Sequence, residues 1–233
     1  MVRVFDIVFA GLALILLSPL LIPVVIVLRL TGEGEILFLQ QRIGSGGKPF
    51  KLYKFVTMLK NSPNIGSGTV TMKGDPRILP VGKFLRKTKI NELPQLLNIL
   101  FGDMSAIGPR PLTPQTFSSY SFKTQEILKR VRPGLSGVGS IVFRGEEDIL
   151  AGEAASLDFY SHVIAPYKGV VEEWYVQHQG WGTYFLAISV TIWVVLFPRS
   201  TLPWRVFRGL PEPPDELKLA LNWRGYANSH LRG

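Results

Sequence analysis

A polar pair, Asn91 and Glu92, stands directly before a Leu-Pro step and an apolar helical repeat in the stretch KTKINELPQLLNIL. Asn is a favoured N-terminal cap, and Pro94 in the first turn removes an N–H that has no partner within the helix. The same pair could instead form a reaction centre, because a carboxylate can bind a cation or attack phosphorus and an amide can donate a hydrogen bond. Taken alone, this stretch favours the cap.

Basic residues flank this pair on both sides in the sequence. Those that precede it are Arg77, Lys83, Arg86, Lys87 and Lys89. Arg110 follows it in a Gly-Pro-Arg-Pro loop, where two prolines restrict the backbone and can hold the guanidinium ready for bidentate phosphate contact. The N–H groups and the dipole at a helix N-terminus also attract anions. These residues therefore predict a diphosphate site.

Composition excludes several other kinds of site. The chain of 233 residues is 46% apolar and 18% charged, with 26 Lys and Arg against 17 Asp and Glu, which favours an anionic membrane surface or a phosphate-rich substrate. The lack of cysteine excludes disulfides, thiolate metal sites and cysteine nucleophiles. The three histidines lack the spacing of a zinc site, and no RNA-binding or DNA-binding motif is found, so nucleic acid is not an expected partner.

The N-terminal region contains an apolar segment, residues 7–28, that carries no charge and is nominally long enough to cross a bilayer. Pro19 and Pro23 lie near its middle, and each costs roughly 3 kcal/mol inside a regular helix, so we expect a break there. Ser18 can satisfy a freed carbonyl with its hydroxyl, which lipid cannot do.

The two ends of this segment carry Arg3 and Arg29. Because positive charges favour the cytoplasmic side, this arrangement fits a re-entrant hairpin with both ends on the same face. An uncleaved signal anchor that spans the membrane with a proline kink fits the segment equally well. A cleaved signal peptide is not expected, because no small-residue cleavage pattern follows the apolar run.

Short strands and further helices complete the predicted architecture. We expect strands at 35–44 and 48–58 around a turn at Ser45–Gly47, and another strand at 139–143. Residues 154–176 mix aromatic and polar positions, as interfacial helices do. Residues 184–198 are apolar over only about fifteen positions, fewer than a spanning helix needs, and predict a buried or interface-lying helix.

Several motifs together resemble the bacterial sugar transferases, which are monotopic polyprenyl-phosphate phosphoglycosyl transferases. They extend over roughly residues 1 to 180, and motifs of this length do not recur by chance. They are FD at Phe5-Asp6, SP at Ser18-Pro19, QQRIG at 40–44, KPFKLYKF at 48–55, DPRI at 75–78, VGKFLRKT at 81–88, ELPQLLNIL at 92–100, GDMSAIGPRP at 102–111 and VRPGLSG at 131–137.

The resemblance implies an enzyme that moves a sugar 1-phosphate from a UDP-sugar to undecaprenyl phosphate, releases UMP and requires Mg²⁺. It implies a monotopic protein on the cytoplasmic face of the bacterial inner membrane, in contact with membrane lipids. It also implies a re-entrant hairpin that breaks at Ser18 and Pro19, which decides between the two topologies left open above.

The resemblance further implies roles for individual residues. By motif, Lys54, Arg86 and Arg110 match the family's cationic phosphate ligands. Glu92 matches its Mg²⁺-binding carboxylate, and Asn91 with Glu92 occupies the position of its catalytic pair.

The chain departs from the family pattern at this pair, because the usual pair is Asp-Glu and the Asp is the nucleophile. Asn91 is a poor nucleophile, so three explanations compete. The chain could represent a branch that uses Glu92 as nucleophile or transfers directly to the lipid phosphate, an engineered variant, or an inactive paralogue that scaffolds glycan assembly. The run Lys-Ile-Asn-Glu-Leu-Pro resembles a pattern found in sugar transferases, and this resemblance favours the first. Two smaller departures are Val56, where the family usually has Arg, and Gly139-Ser140, where Ala-Gln is commoner. The sugar of the UDP-sugar substrate therefore stays unassigned.

We therefore predict an α+β monotopic membrane protein with a re-entrant helix-break-helix hairpin, interfacial amphipathic helices and a small strand element. The predicted domains are the hairpin at 1–30, the catalytic domain at 31–198 and a C-terminal tail at 199–233. The oligomeric state is left open, with a homodimer as one option.

Overall fold

Helices and two small sheets make up the part of the chain that the computed structural model describes. The described residues are 2–31, 33–62, 75–144 and 159–223. The predicted mixture of helices with a small strand element is confirmed for these residues. The chain divides into two compact units, which are Met1–Arg42 with Phe50–Met104 and Ile43–Pro49 with Ser105–Gly233.

The elements up to residue 104 are a long helix, a hairpin and two short helices joined by a turn. They are α1 (Val2–Leu30), β1 (Leu37–Ile43), β2 (Pro49–Phe55), α2 (Pro80–Lys87), a 3-10 turn (Ile90–Glu92) and α3 (Gln95–Phe101). The two strands pair as predicted around the turn Ser45–Gly47. A buried cluster of Leu28, Phe55 and Leu85 joins α1, β2 and α2.

Helical backbone continues through Pro19 and Pro23 along all 29 residues of α1, so the predicted break in the helix is absent. The physical reason lies one turn before the first proline. Pro19 offers no N–H to the carbonyl of Ile15, but the Ser18 hydroxyl donates to that carbonyl at 2.7 Å. The predicted role of Ser18 in satisfying a freed carbonyl is therefore confirmed.

Among the described residues, α1 is the single helix long and apolar enough to cross a membrane. Its buried residues are Asp6 and Ala10 near the start and Leu28 near the end. The apolar side chains between them are half-buried or exposed, with Leu16 76% exposed. This segment therefore presents a hydrophobic surface that the described protein does not cover, as membrane association requires.

Gly82 allows α2 to lie unusually close to the chain that follows β2. A Cβ atom at this position would lie 2.2 Å from the carbonyl oxygen of Thr57. The same carbonyl accepts a hydrogen bond from the Leu79 N–H at 3.0 Å, just before the helix starts. These contacts fix the start of α2, whose last turn carries Arg86.

The second unit adds a parallel strand pair and several helices. They are β3 (Ser105–Ile107), α4 (Pro114–Ser118), α5 (Phe122–Leu128), β4 (Gly134–Ser136), α6 (Val138–Val142), a π-helical turn (Tyr160–Ile164), α7 (Ala165–Gln177), α8 (Trp181–Leu196), α9 (Leu202–Val206) and α10 (Asp215–Lys218). Strand β3 pairs in parallel with β4, in the register Ser105–Gly134 and Ile107–Ser136. The loop that carries Arg110 is also bonded to β4, because the Gly134 N–H donates to the Pro109 carbonyl at 2.8 Å.

Two sequence predictions in this unit are wrong. Residues 139–143 were expected to form a strand but lie in and after α6, where the Ile141 N–H donates to the Gly137 carbonyl at 2.9 Å. A five-residue run rich in Val and Ile fits either structure by pattern alone. The described part of the segment expected to be an interfacial helix forms the π-helical turn and then α7, and α7 is mostly buried within the protein, including Lys168 and Glu172.

Helix α8 agrees with the prediction of a helix at 184–198, and one of its sides is buried at Tyr184, Ala187, Val190 and Val194. Residues 154–158 of the predicted interfacial helix, and the predicted tail after residue 223, lie outside the described residues. The described part of the predicted tail contains the two short helices α9 and α10.

Candidate active site

The chain reverses direction between α2 and the 3-10 turn at Lys89, whose φ of 61° lies in the left-handed region. This conformation costs a residue other than glycine roughly 1–2 kcal/mol. Asn91 and Glu92 lie within the turn, and α3 begins only at Gln95, with Pro94 at its N-cap position and no side-chain cap. The predicted capping role of Asn91 is therefore wrong, because the separate turn and Pro94 keep it away from the first turn of α3.

The structure brings together the side chains of Lys54 and Glu92, two of the predicted site residues. The Lys54 ammonium nitrogen lies 3.5 Å from a carboxylate oxygen of Glu92, and the two side chains are 18% and 28% exposed. Charges that are partly shielded from water act on a ligand more strongly than fully solvated ones. A cation and an anion are thus available side by side at a place that a ligand can reach.

Asn91 is 8% exposed, and its side-chain oxygen is buried without a hydrogen-bond partner among the described residues. A buried acceptor without a partner costs about 1–3 kcal/mol, so such atoms usually indicate a missing ligand, ion or water. An amide oxygen can accept a hydrogen bond or bind a cation. Asn91 is therefore arranged to contact something that binds at the turn.

Asn98 holds β2 against α3, and sequence reasoning missed it. Its side chain is fully buried, accepts the Tyr53 N–H at 2.9 Å and donates to the Lys51 carbonyl at 2.8 Å. It also donates to the Asp103 carboxylate at 3.2 Å. One side-chain amide thus provides hydrogen-bond partners for the β2 backbone at Lys51 and Tyr53, just before Lys54. The available signal was a polar side chain inside the apolar repeat LPQLLNIL.

The predicted basic set divides into two groups. Arg86 lies on α2, which packs on the 3-10 turn, and its guanidinium lies 3.9 Å from the Met58 sulfur. Arg77 is only 3% exposed and forms a buried ion pair with Asp75 at 2.5 Å. Arg77 therefore stabilises the segment before α2, and we no longer expect it to bind an anion.

Arg110 belongs to the second unit, and its part in phosphate binding stays a prediction. Its backbone N–H donates to a carboxylate oxygen of Glu172 at 3.1 Å. Burial raises the pKa of Glu172 to about 7, although the Arg110 N–H and the Lys168 charge act in the opposite direction. The loop that carries Arg110 is therefore held by a hydrogen bond to a buried carboxyl group.

Within the described residues, no three His, Asp or Glu side chains converge on one cation. Mg²⁺ commonly takes only one or two protein oxygens and completes its shell with substrate phosphate and water. The Glu92 carboxylate and the unpartnered Asn91 oxygen are ligands of this type. The residues present therefore fit a Mg²⁺ ion that arrives with a diphosphate.

Comparison with known families gives one match over most of the chain. The family described as Bacterial sugar transferase matches residues 1–198.

Individual relatives are similar over shorter segments. The UDP-glucose:undecaprenyl-phosphate glucose-1-phosphate transferase of Klebsiella pneumoniae is 40% identical over 153 residues, which are 64% of this chain and 32% of that protein. The UDP-N-acetylgalactosamine-undecaprenyl-phosphate N-acetylgalactosaminephosphotransferase of Aeromonas hydrophila is 40% identical over 142 residues, 60% and 33% of the two chains. The exopolysaccharide production protein ExoY of Sinorhizobium fredii is 38% identical over 176 residues, 70% and 76% of the two chains. The chain thus spans about one third of the first two relatives.

We predict that Asn98→Asp destabilises the site. The new carboxylate would keep the bond from Tyr53 but face the Lys51 carbonyl and the Asp103 carboxylate without a proton to share. The free energy of unfolding should fall by about 1–3 kcal/mol, as for other unsatisfied buried groups. Thermal unfolding in lipid nanodiscs measures this loss.

The matched control is the double variant Asn98→Asp with Asp103→Asn, which restores a donor opposite the new carboxylate and should recover part of the stability. An Asn98→Asp protein as stable as the wild type would contradict the positioning role of Asn98.

Proposed function

Because the chain belongs to the bacterial sugar transferase family, we propose that it transfers a sugar 1-phosphate from a UDP-sugar to undecaprenyl phosphate and releases UMP. The Klebsiella and Aeromonas relatives carry names of this reaction, with glucose and N-acetylgalactosamine as their sugars. Nothing in these names favours the alternative of an inactive scaffold. This transfer is the kind of step that begins the assembly of a lipid-linked bacterial glycan.

The observation that carries the proposal is the paired Lys54 and Glu92 beside the unpartnered oxygen of Asn91. Phosphoryl transfer needs cations on the non-bridging oxygens and a positioned nucleophile more than elaborate acid–base chemistry. Lys54 supplies a cation at the turn, and Arg86 supplies a guanidinium on the helix that packs against it. Arg110, in the second unit, matches a phosphate ligand of the family by motif, and its guanidinium is suited to bidentate phosphate contact.

Glu92 carries the negative charge of the catalytic turn, and two routes use it. In the first, a Glu92 oxygen attacks the sugar-bearing phosphorus, the bond to UMP breaks, and a lipid phosphate oxygen then displaces Glu92. In the second, the lipid phosphate oxygen attacks the same phosphorus directly, the bond to UMP breaks in the same step, and Glu92 orients the substrate. In both routes the Asn91 amide group can hold a phosphoryl oxygen through its N–H.

Glu92, with the Asn91 oxygen, would hold Mg²⁺. When bound, this ion would neutralise charge on the diphosphate and on the departing UMP. Lys54 stays within reach of the same carboxylate and limits how many of its oxygens face a metal.

We also propose that α1 is a re-entrant element, so that the protein is monotopic on the cytoplasmic face of the inner membrane. At the start of α1, the Arg3 guanidinium donates to the carbonyls of Ile99 and Leu100. At the end of α1, Leu28 packs with Phe55. All these residues belong to the first unit.

The separation of these anchors supports a bend in α1. A straight helix would place Arg3 and Leu28 about 38 Å apart. Ile99 follows Asn98, whose side chain bonds to Tyr53 two residues before Phe55, so the backbone anchors at Ile99 and Phe55 lie within about 20 Å of each other. A bend near Pro19 and Pro23 would bring both ends of the helix back to this unit.

Purified protein in nanodiscs that contain undecaprenyl phosphate should release UMP from UDP-glucose or UDP-N-acetylgalactosamine. A coupled UMP assay measures the rate, and chelation of divalent ions should abolish it. An active Klebsiella relative assayed in the same nanodiscs serves as the positive control. Absence of UMP release with a panel of UDP-sugars that also includes UDP-galactose and UDP-N-acetylglucosamine would contradict the proposed activity.

Glu92→Gln should abolish turnover while UDP-sugar binding is retained, because the amide keeps the shape but loses the charge. Asn91→Asp should change the rate or allow a phospho-sugar adduct to accumulate, which intact-protein mass spectrometry would detect. The control is Glu126→Gln, which also removes a carboxylate paired with a lysine but lies on α5 outside the site. Full activity of Glu92→Gln would remove Glu92 from the reaction.

Single cysteines at the two ends of α1 should label from the same side of the membrane. Because the native chain has no cysteine, Val4→Cys and Leu30→Cys each give a unique thiol at an exposed position. A membrane-impermeant maleimide should react with both in inverted vesicles, while Leu16→Cys should be shielded by lipid. Reaction of the two end positions from opposite sides would show that α1 spans the bilayer.

A further inference from the structure

Glu172 is a buried carboxylate that the proposed reaction does not use. It lies in the middle of α7 and is 3% exposed. One oxygen accepts the backbone N–H groups of Arg110 and Gly139, while the other is buried and lacks a hydrogen-bond partner in the described part of the chain. A carboxylate that is only half satisfied in the interior is costly, so its presence calls for an explanation.

The packing around Glu172 is built to admit this side chain. A Cβ atom at Gly139 would lie 2.3 Å from the Glu172 oxygen that accepts the two N–H groups. Glycine at this position of α6 therefore allows the carboxylate to reach the backbone of Arg110. Its contacts join α7, α6 and the Gly-Pro-Arg-Pro loop at one point.

We propose that Glu172 is a positioning residue for the Arg110 loop, and that binding of a UDP-sugar diphosphate by Arg110 is coupled to uptake of a proton by Glu172. This proposal rests on the proposed phosphate-binding role of Arg110. The backbone bond holds the loop in place, and the carboxyl charge sets how strongly the guanidinium attracts an anion.

In the described part of the chain, the charges that act on Glu172 come from two residues. Lys168 lies one turn earlier on α7, and Arg110 lies on the adjoining loop. Helix α6 carries no titratable side chain, and Lys123 of α5 lies 3.8 Å from Glu173 instead. On the π-helical turn before α7, His162 is exposed and contacts Ser161.

The sign of the coupling follows from these charges. Burial raises the pKa of Glu172 to about 7, so both forms of the carboxyl group are populated near neutral pH. A diphosphate on Arg110 would offset the guanidinium charge that favours the ionised carboxylate, and the neutral form would then gain. Binding therefore takes up a proton, and affinity should fall as pH rises through 7.

Stability follows the same linkage. Because the folded-state pKa lies above the ordinary value of 4.5, the folded protein binds the proton more readily than the unfolded chain between these two values. The contribution of Glu172 to stability is thus greatest below pH 4.5, falls as pH rises, and is lost above about pH 7. Glu172→Gln should remove this loss, since its amide oxygen can still accept both N–H groups.

The test compares wild type with Glu172→Gln by calorimetric titration of UDP-glucose and UDP-N-acetylgalactosamine from pH 6 to 8, in buffers of different protonation enthalpy. These ligands are suitable because their diphosphate is esterified at both ends, whereas UMP and undecaprenyl phosphate are monoesters that titrate near about pH 6. Wild-type affinity should fall up to about tenfold over this range, with net proton uptake. Glu172→Gln should show neither effect and should melt at a higher temperature than wild type at pH 8.

Two further variants make the outcome decisive. Glu173→Gln removes the neighbouring carboxylate, which bonds to Thr124 of α5, and should keep the wild-type pH dependence. Gly139→Ala should push the Glu172 carboxylate off the Arg110 N–H and weaken binding at every pH. Wild-type pH dependence in Glu172→Gln, or wild-type binding in Gly139→Ala, would overturn the proposal.

The phosphate role of Arg110 is tested separately. Arg110→Lys keeps the charge but loses the planar fork, so UDP-sugar affinity should fall at all pH values. Unchanged affinity in Arg110→Lys would remove the premise that Arg110 binds the diphosphate. Loss of affinity in Arg110→Lys, together with wild-type pH dependence in Glu172→Gln, would reject only the coupling between binding and proton uptake.

Discussion

The buried amide of Asn98 is the interaction on which the arrangement of β2 and α3 depends. Its side chain bonds to the backbone of β2 on both sides of Leu52, and its own carbonyl accepts N–H groups from Gly102, Asp103 and Met104 at the end of α3. Side chains of several other types could fill the same volume, but an amide can both accept from and donate to a strand. The separation between Lys54 and Glu92 is therefore set by a residue that touches neither.

Two buried ionic groups illustrate how differently charge is used in this chain. Asp75 and Arg77 neutralise each other with two side-chain hydrogen bonds, and Arg77 also donates to the Ser62 carbonyl. Such an arrangement is satisfied and has no charge left for a ligand. Glu172 receives only backbone donors on one oxygen. An incompletely satisfied acid retains the capacity to respond when its surroundings change, which a closed pair lacks.

Local sequence patterns account for those elements that depend on contacts between residues close together in the sequence. The β1–β2 hairpin, the end of α3 at Gly102 with its φ of 101°, and the Ser18 bond to Ile15 all follow from neighbouring residue types. Approaches between distant backbone segments could not be predicted in this way. Strands β3 and β4 have three residues each, and their pairing depends on a glycine contact in which a Cβ at Gly134 would lie 2.0 Å from the Gly108 nitrogen. The turn that carries Asn91 and Glu92 also differed from the prediction, because a left-handed Lys89 starts a separate 3-10 turn and α3 begins only at Gln95, after Pro94.

The bond from Arg3 to Ile99 joins residues 96 positions apart in the sequence. At a synthesis rate of roughly 5–20 residues per second, the ribosome needs about 5–20 seconds to deliver the second partner after the first has emerged. During that interval the apolar α1 segment is available to the membrane while its partner helix does not yet exist. In the proposed re-entrant arrangement, lipid would therefore cover the α1 segment before α3 is available to anchor it.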